Sequence, residues 1–264
     1  DHDHFHNPGG LQLDGKGVKA SEDGRATYLT SVIADYGIDF LKEHAASHKD
    51  SPFFLYLALT IPHARYEVPD LGPYADKDWP DVNKKMAAMI TRMDRDIGRL
   101  LDLLAELKLA DDTLVIFAGD NGAATSGKML EFFHSNGPWR GIKRSMYEGG
   151  LRVPAIIEWP AVIRSHRRST VPCVSSDIFP TLLDLTGLKS PDPGRPIDGI
   201  SLRELIVSDS IKERPRPIGF WKYDAAGERR NERWMDPELT RGTTPTVKNP
   251  AIDFLNFKHP VARM

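Results

Sequence analysis

The stretch at residues 115–123, VIFAGDNGA, ends an apolar run on a carboxylate and a carboxamide. Asp120 and Asn121 offer a carboxylate and a carbonyl oxygen, which are the ligands that hard cations such as Ca²⁺ and Mg²⁺ prefer. The flanking Gly119 and Gly122 carry no side-chain bulk, so backbone and ligand can approach closely. The same Asp-Asn-Gly sequence also suits a type I′ hairpin turn. The residues alone therefore leave two interpretations open, a cation site and a tight turn.

A histidine follows a second long apolar run, FFLYLALT at residues 53–60. His63 comes just past this run, as Asp120 comes just past the other. In open parallel sheets ligands gather outside the carboxyl ends of the strands, so both groups are predicted at one rim. An imidazole titrates near neutrality and could protonate a leaving oxygen. A lone histidine in a loop is otherwise a surface or packing residue, and both interpretations stay open.

The third candidate is the glycine-rich, basic segment GPWRGIKRSMYEGGLRVP at residues 137–154. Lys143 is a compact charge on a long stem and could reach an anion. Arg140, Arg144 and Arg152 add positive potential. A solvated basic loop is the alternative, and this segment alone does not decide between the two.

Apolar spacing predicts the elements that must position these residues. Helical periodicity covers residues 27–47 and 81–109. Short apolar runs predict buried strands at 53–60, 113–120 and 153–160, and the first of these suits a central strand covered on both faces. A further helix, within SSDIFPTLLDLTG, is predicted to stop at Gly187. This order predicts an α/β fold with a mostly parallel sheet flanked by helices.

Composition bounds the class of protein. The chain has 264 residues, with 40% hydrophobic and 27% charged, which is globular and large enough for a substantial core. The formal net charge of −2 gives no basic excess of the kind that nucleic-acid binding requires. Cys173 is the single cysteine, so no internal disulfide forms. No apolar run approaches the ~20 residues of a membrane span.

The two ends of the sequence differ in texture from its middle. Residues 1–24 are polar and glycine-rich and are predicted to be loop. They open on DHDHFH, whose histidines and aspartates could bind a transition metal; we favour a polar loop because no adjacent element fixes ligand geometry. From about residue 208 periodicity fades, and IGFWKY at 218–223 is predicted to be a strand. We expect a main portion over 1–207 and a partial smaller C-terminal domain or tail over 208–264.

Taken together, five segments resemble the sulfatase family (arylsulfatase-like) of the alkaline-phosphatase superfamily. They stand in family order and span roughly residues 27–207. The most specific is the Gly-Lys…Tyr-Glu-Gly-Gly-x-Arg-Val-Pro pattern. The five are PFFLYLALTIPHARYEVP, VIFAGDNGA, SNGPWRGIKRSMYEGGLRVP, SSDIFPTLLDLTG and DGISLREL.

The resemblance implies a role for each matching position. His63 would contact the sulfate ester and protonate the leaving alcohol, and Lys143 would bind the sulfate oxygens. Asp120 and Asn121 would ligate one divalent cation, usually Ca²⁺. The implied fold is alkaline-phosphatase-like, and the implied partner is a sulfated small molecule or glycan, with no nucleic acid and no membrane span. The family suggests a secreted or periplasmic setting.

The family's nucleophile is absent from this sequence. It is a formylglycine made from Cys or Ser in a Cys/Ser-x-Pro-Ser-Arg motif, whereas Cys173 sits in VPCVSSD. We therefore expect a fragment of a calcium-dependent sulfuric-ester hydrolase, in which residues 1–207 are the C-terminal portion of the sulfatase catalytic domain. The fragment would carry part of the active site and have no activity alone, and the formylglycine is expected in the parent protein. The alternatives are a non-catalytic sulfatase-like binding module and a phosphodiesterase or phosphonate hydrolase of the same superfamily.

Overall fold

The computed structural model of the chain describes residues 12–13, 16–17, 28–124 and 129–220. The chain divides into two compact units, unit 1 over residues 1–113 and unit 2 over residues 114–264. The DHDHFH segment lies outside the described residues, as do most of the predicted strand at 218–223 and all that follows it. Among the described residues, no helix combines the length and the apolar character needed to cross a membrane.

Unit 1 consists mainly of two helices. Strands β1 and β2 form a short antiparallel pair with Gln12 opposite Gly17, so the prediction of loop throughout 1–24 is wrong at these four positions, where backbone pairing is satisfied locally. The bounds of the elements are β1 Gln12–Leu13, β2 Lys16–Gly17, α1 Leu29–Ser47, a 3₁₀ turn Gly72–Tyr74, α2 Asp81–Glu106 and a 3₁₀ turn Ala110–Asp112.

Both long helices predicted from periodicity are confirmed, and their apolar faces form the core of unit 1. Helix α2 ends soon after Glu106 because Lys108 adopts a positive φ of 57°, which an α-helix does not accommodate. Gly37 of α1 permits close packing, since a Cβ there would lie 3.2 to 3.3 Å from side-chain atoms of Leu57 and Leu100. A buried polar contact also joins the helices: the Ser31 hydroxyl donates to Asp96 Oδ2 over 2.7 Å.

The predicted central strand at residues 53–60 is not a strand in this chain. Burial alternates along it instead of covering both faces, and the side chains of Phe54 and Tyr56 are 75% and 78% exposed. Within the part of the chain that the structure describes, no segment forms a sheet ladder with it. An apolar run becomes a central strand only where neighbouring strands supply its hydrogen bonds and other elements cover both faces of the sheet. The prediction is wrong because residues 53–60 have no strand to pair with among the described residues.

Unit 2 combines a two-stranded antiparallel sheet with short helices. Strands β3 and β4 pair from Val115 opposite Glu158 to Ala118 opposite Ala155. This antiparallel pair is compatible with the predicted sheet, because sheets of mostly parallel strands often include an antiparallel strand. The elements are β3 Val115–Ala118, α3 Met129–Phe133, α4 Glu148–Leu151, β4 Ala155–Glu158, a 3₁₀ turn Ser175–Asp177, α5 Ile178–Thr186 and α6 Arg203–Val207.

Helix α5 stops where the sequence predicts, at Gly187, whose φ of 70° is the left-handed conformation that glycine adopts at helix ends. Its neighbour α6 supplies Leu205 and Ile206 to the apolar core of unit 2. The segment after residue 207 is anchored to unit 2, because the Arg214 guanidinium donates two hydrogen bonds to the Asp177 carboxylate. The domain boundary after residue 207 stays a prediction.

Candidate active site

Strand β3 delivers Asp120 and Asn121 to the end of the sheet. The ladder continues one residue past the strand, where the Gly119 amide donates to the Pro154 carbonyl over 3.1 Å. The Gly122 amide then donates to the Gly150 carbonyl over 3.0 Å. Asp120 and Asn121 lie between these two anchors, so their backbone is held on both sides.

This geometry excludes the hairpin interpretation. A type I′ turn requires positive φ at both central residues, and none of Asp120, Asn121 and Gly122 has one. The partner strand β4 begins only at Ala155, long after the segment ends. Asp-Asn-Gly is therefore the exit of a strand into a long connection, which is the context predicted for a ligand site.

Glycines let the segment approach its neighbours backbone to backbone. A Cβ on Gly122 would lie 1.9 Å from the carbonyl oxygen of Gly149, which is inside any permitted contact. A Cβ on Gly149 would lie 2.3 Å from the carbonyl oxygen of Gly141. Three chain segments meet at these glycines, and side chains there would push them apart.

The same packing brings Lys143 beside the Asp-Asn pair. The Lys143 amide donates to the Ala123 carbonyl over 2.8 Å, two residues from Asn121. Its loop is shaped by Gly141, whose φ of 89° favours glycine. The structure thus brings together three of the four residues that the sequence singled out: Asp120, Asn121 and Lys143.

The polar side-chain atoms of Asp120, Asn121 and Lys143 are available to bind a ligand. Asn121 Nδ2 donates to the Gly122 carbonyl over 3.0 Å, which leaves Oδ1 as the acceptor for a ligand. Asp120 is exposed and Lys143 half-buried, and neither side chain hydrogen-bonds or ion-pairs with a described residue. The donor set of one carboxylate and one amide oxygen fits a hard cation. No group of three His, Cys, Asp or Glu ligands converges among the described residues, so two oxygens are what this segment supplies.

His63 belongs to unit 1. It is exposed and follows the cis Ile61–Pro62 peptide. Its Nδ1 lies 2.5 Å from the carbonyl oxygen of Ala64.

The arginines of the basic segment are packed against aromatic rings. The guanidinium of Arg140 lies 4.4 Å from the centre of the Tyr147 ring, and that of Arg152 lies 4.3 Å from the Trp139 ring. Arg152 also pairs with Glu148. These contacts are cation–π interactions, so the two arginines help to hold the segment that carries Lys143.

Cys173 does not have the surroundings of a nucleophile. Burial raises the pKa of its thiol, and the neighbouring Asp177 carboxylate raises it further. Its Sγ donates to the Val171 carbonyl over 3.3 Å. Reactive cysteines have a lowered pKa. The raised pKa of Cys173 therefore agrees with its sequence context in arguing against a role as the nucleophile.

Sequence reasoning missed the buried pair of Asp177 and Arg214. Its two members stand 37 residues apart, and only the high density of arginine after residue 208 pointed to that region. Burial tends to raise the pKa of Asp177. The hydrogen bonds from Arg214 and from the Ile200 and Val174 amides outweigh it, so the net pKa lies below its ordinary value.

A carboxylate–amide pair at a strand end, with a lysine on the adjoining segment, is a set of groups that suits a hard cation and an anion. Comparison with known proteins identifies the family. The Sulfatase family profile matches residues 3–188. The chain belongs to the sulfatase family.

Individual relatives agree with this assignment. The chain is 34% identical to human N-acetylgalactosamine-6-sulfatase over 74% of its own length and 35% of the relative's. It is 35% identical to human steryl-sulfatase over 61% of its length and 27% of the relative's. It therefore spans between about a quarter and about a third of the length of these curated relatives.

Solved structures confirm the predicted fold class. The crystal structure of Ps i-CgsB in complex with k-i-k-neocarrahexaose matches with a TM-score of 0.70 and 27% identity. The match covers 81% of this chain and 45% of that one. The chain is thus a portion of the α/β sulfatase fold, the alkaline-phosphatase-like architecture that the sequence predicted.

Proposed function

We propose that this chain supplies part of the active site of a sulfatase, which hydrolyses a sulfate monoester to an alcohol and inorganic sulfate. The observation that carries the proposal is the hydrogen bond from the Lys143 amide to the Ala123 carbonyl, 2.8 Å long. It places the Lys143 backbone beside the segment that carries Asp120 and Asn121. Membership of the sulfatase family supports a shared role for these three residues.

Each residue has a distinct task in this proposal. Lys143 binds sulfate oxygens, and its charge offsets the negative charge that develops on the transferring group. Asp120 and Asn121 Oδ1 are two of the ligands for one divalent cation, which we expect to be Ca²⁺. When bound, the cation would supply further positive charge to stabilise the transferring group.

His63 completes the residues that this chain contributes. It donates a proton to the ester oxygen as the sulfur–oxygen bond breaks, so the alcohol leaves neutral. The nucleophile is not among the residues of this chain. We therefore propose that the 264-residue chain does not turn over a sulfate ester by itself.

The proposed substrate is a sulfated glycan or a sulfated small molecule. Support for a sugar comes from the similarity to N-acetylgalactosamine-6-sulfatase and to a structure bound to a neocarrahexaose. Support for a small molecule comes from the similarity to steryl-sulfatase. Membership of the sulfatase family also favours a location outside the cytoplasm. We propose that the protein is secreted or periplasmic, and cell fractionation would test this.

The decisive experiment replaces Lys143 with alanine in the full-length protein that contains this chain. We expect kcat/KM for a chromogenic aryl sulfate to fall by more than tenfold, because charge on the sulfate loses its stabilisation. Lys189→Ala is the matched control, since Lys189 is an exposed lysine of the same unit. An equal kcat/KM for the two variants would remove Lys143 from the site.

The cation site has its own test. We expect Asp120→Ala to lower Ca²⁺ affinity, measured by calorimetry, and Asp192→Ala, which removes another exposed carboxylate of unit 2, to leave it unchanged. Ca²⁺ prefers 6–8 oxygen ligands, so binding to the isolated chain is expected to be weak. Ca²⁺ affinity that survives Asp120→Ala would contradict the assignment.

A further inference from the structure

A loop of unit 2, residues 164–170, concentrates positive charge. Its sequence is RSHRRST, which holds three arginines and one histidine. No acidic residue occurs between Glu158 and Asp177, so no carboxylate close by in the sequence offsets these cations. Every residue of the loop is exposed. The charge is a local feature, because the chain as a whole has a formal net charge of −2.

Both ends of the loop are attached to the core of unit 2. Ile163 packs against the buried apolar cluster, and Val171 is a member of that cluster. The turn before the loop is closed by the Ile163 amide, which donates to the Trp159 carbonyl over 2.7 Å. Fixed ends limit the freedom that the loop has to lose when it binds a partner, which lowers the entropic cost of binding.

Arg167 holds the middle of the loop on α6. Its Nη2 donates to the carbonyl of Leu205 over 2.8 Å and also to the carbonyl of Ile206. Carbonyls at the end of a helix have no partner within the helix, and a cation is favourable there. The charge of Arg167 is therefore used to position the loop.

Arg164 and Arg168 are the arginines that remain. Both are exposed, and neither makes a hydrogen bond, ion pair or ring contact with a described residue. A guanidinium is a planar fork of N–H groups that matches two oxygens of a tetrahedral oxyanion. The Cα atoms of these two arginines lie at most about 14 Å apart, the length of four extended residues. An anionic polymer with repeated charged groups can therefore contact both at once.

We propose that residues 164–168 form a binding surface for a sulfated polysaccharide, in which Arg164 and Arg168 each contact a sulfate group. The inference rests on the proposed function, which includes a sulfated glycan as substrate. It adds a contact made by residues outside the candidate active site. Two contacts on one polymer reinforce each other, because the first raises the effective concentration for the second. A sulfated polymer should therefore bind more tightly than a single sulfated sugar.

Two other polyanions fit the loop less well. The loop contains no apolar residue that could enter the acyl region of a membrane. A domain that binds nucleic acid normally carries a basic excess, which this chain lacks. Membranes and nucleic acid are therefore included in the test as competing partners.

The test measures binding of the 264-residue chain to dextran sulfate by calorimetry at several salt concentrations. We expect the double variant Arg164→Gln/Arg168→Gln to weaken binding by about tenfold or more, since one arginine near an anionic surface contributes about fivefold. The slope of log affinity against log salt should also shrink, because fewer counterions are released. Lys42→Gln/Lys49→Gln is the matched control: it removes the same charge from two exposed lysines of unit 1 and should leave affinity and slope unchanged.

Unsulfated dextran, phosphatidylserine vesicles and a DNA duplex are measured beside dextran sulfate. Three results would overturn the proposal: no binding to dextran sulfate, equal affinities of the double variant and the control variant, or a larger loss on vesicles or DNA than on dextran sulfate. None of these measurements depends on turnover. Failure of the binding surface is thus distinguishable from failure of the proposed function, which is tested by kcat/KM of Lys143→Ala.

Discussion

The buried ion pair of unit 2 offers the sharpest stability test. The Asp177 side chain is 0% exposed and accepts hydrogen bonds from the Val174 amide at 2.9 Å and the Ile200 amide at 2.8 Å. Two more come from Arg214, at 2.7 and 2.8 Å. One carboxylate thus joins the start of α5, the approach to α6 and the segment beyond residue 207. The substitution Asp177→Asn removes its charge and one of its two acceptor oxygens.

The expected loss follows from what remains behind. Arg214 is itself buried, at 7% exposure, and its Nε has no hydrogen-bond partner among the described residues. Breaking a buried ion pair on one side costs about 3–5 kcal/mol, because the other charge is left uncompensated. Asparagine still accepts one hydrogen bond, so we expect Asp177→Asn to lower the free energy of unfolding by about 3 kcal/mol, at the lower end of that range.

The assay is urea denaturation of the purified chain, followed through tryptophan fluorescence, to which Trp159 in contact with the core of unit 2 contributes. Asp184→Asn is the matched control. Asp184 is an exposed aspartate of α5 whose carboxylate accepts a hydrogen bond from the Ser201 hydroxyl at 2.6 Å. Surface changes of this kind cost about 0.5 kcal/mol or less. Equal losses for the two variants would refute the reasoning from burial and charge.

The pH dependence of the same pair has a definite sign. The folded-state pKa of Asp177 lies below its ordinary value, so its stabilising effect is complete above the unfolded-state pKa of about 3.9. It is lost as the pH falls through the folded-state pKa, because the unfolded state then binds more protons. The chain should therefore lose stability in acid, and Asp177→Asn should flatten that part of the profile.

Three further predictions concern other parts of the chain. Gly122→Ala should lower the free energy of unfolding by about 3 kcal/mol or more, because the added Cβ has no room, and it should speed hydrogen exchange of the Lys143 amide. Gly98→Ala is the control: a Cβ there meets nothing within 4 Å, so the change should be neutral or stabilising. Burial raises the pKa of Tyr28 to about 12. The tyrosinate absorbance of the chain should therefore include a late titration that Tyr28→Phe removes. Stability should fall above pH ~10, where Tyr28 ionises in the unfolded state but not in the folded state. Tyr56→Lys should reduce self-association of the chain measured by light scattering, because it places a charge on the exposed apolar segment 53–60. Leu188→Lys changes another exposed apolar residue and should leave self-association unchanged.

Local features of the sequence predicted local features of the fold. Periodicity located α1 and α2, and Gly187 marked the end of α5. Residues 53–60 show the limit of such reasoning. Their composition is that of a central strand, but a strand exists only where a neighbour pairs with it, and that information is not in the segment itself.

The candidate site shows the same division. Residue type and position make Asp120, Asn121 and Lys143 candidates, but the sequence does not show what brings their segments together. The structure shows that backbone contacts do so: the Gly122 amide bonds to the Gly150 carbonyl, and the Lys143 amide bonds to the Ala123 carbonyl. Backbone groups are the same in every residue, so such pairings leave no mark on composition. The glycines are the exception, because a close backbone approach excludes every larger residue.

The cation hypothesis also predicts which metal is bound. Asp120 and Asn121 supply exposed or half-exposed oxygens, as a hard cation requires, and two such ligands fall short of a complete shell. Carboxylate and carbonyl oxygens suit Ca²⁺, whereas Zn²⁺ is bound mainly by nitrogen and sulfur ligands. We therefore expect Asp120→Ala to lower Ca²⁺ affinity and to leave any Zn²⁺ binding unchanged. A substitution that weakened both metals equally would show that it acts through the fold and not through a ligand.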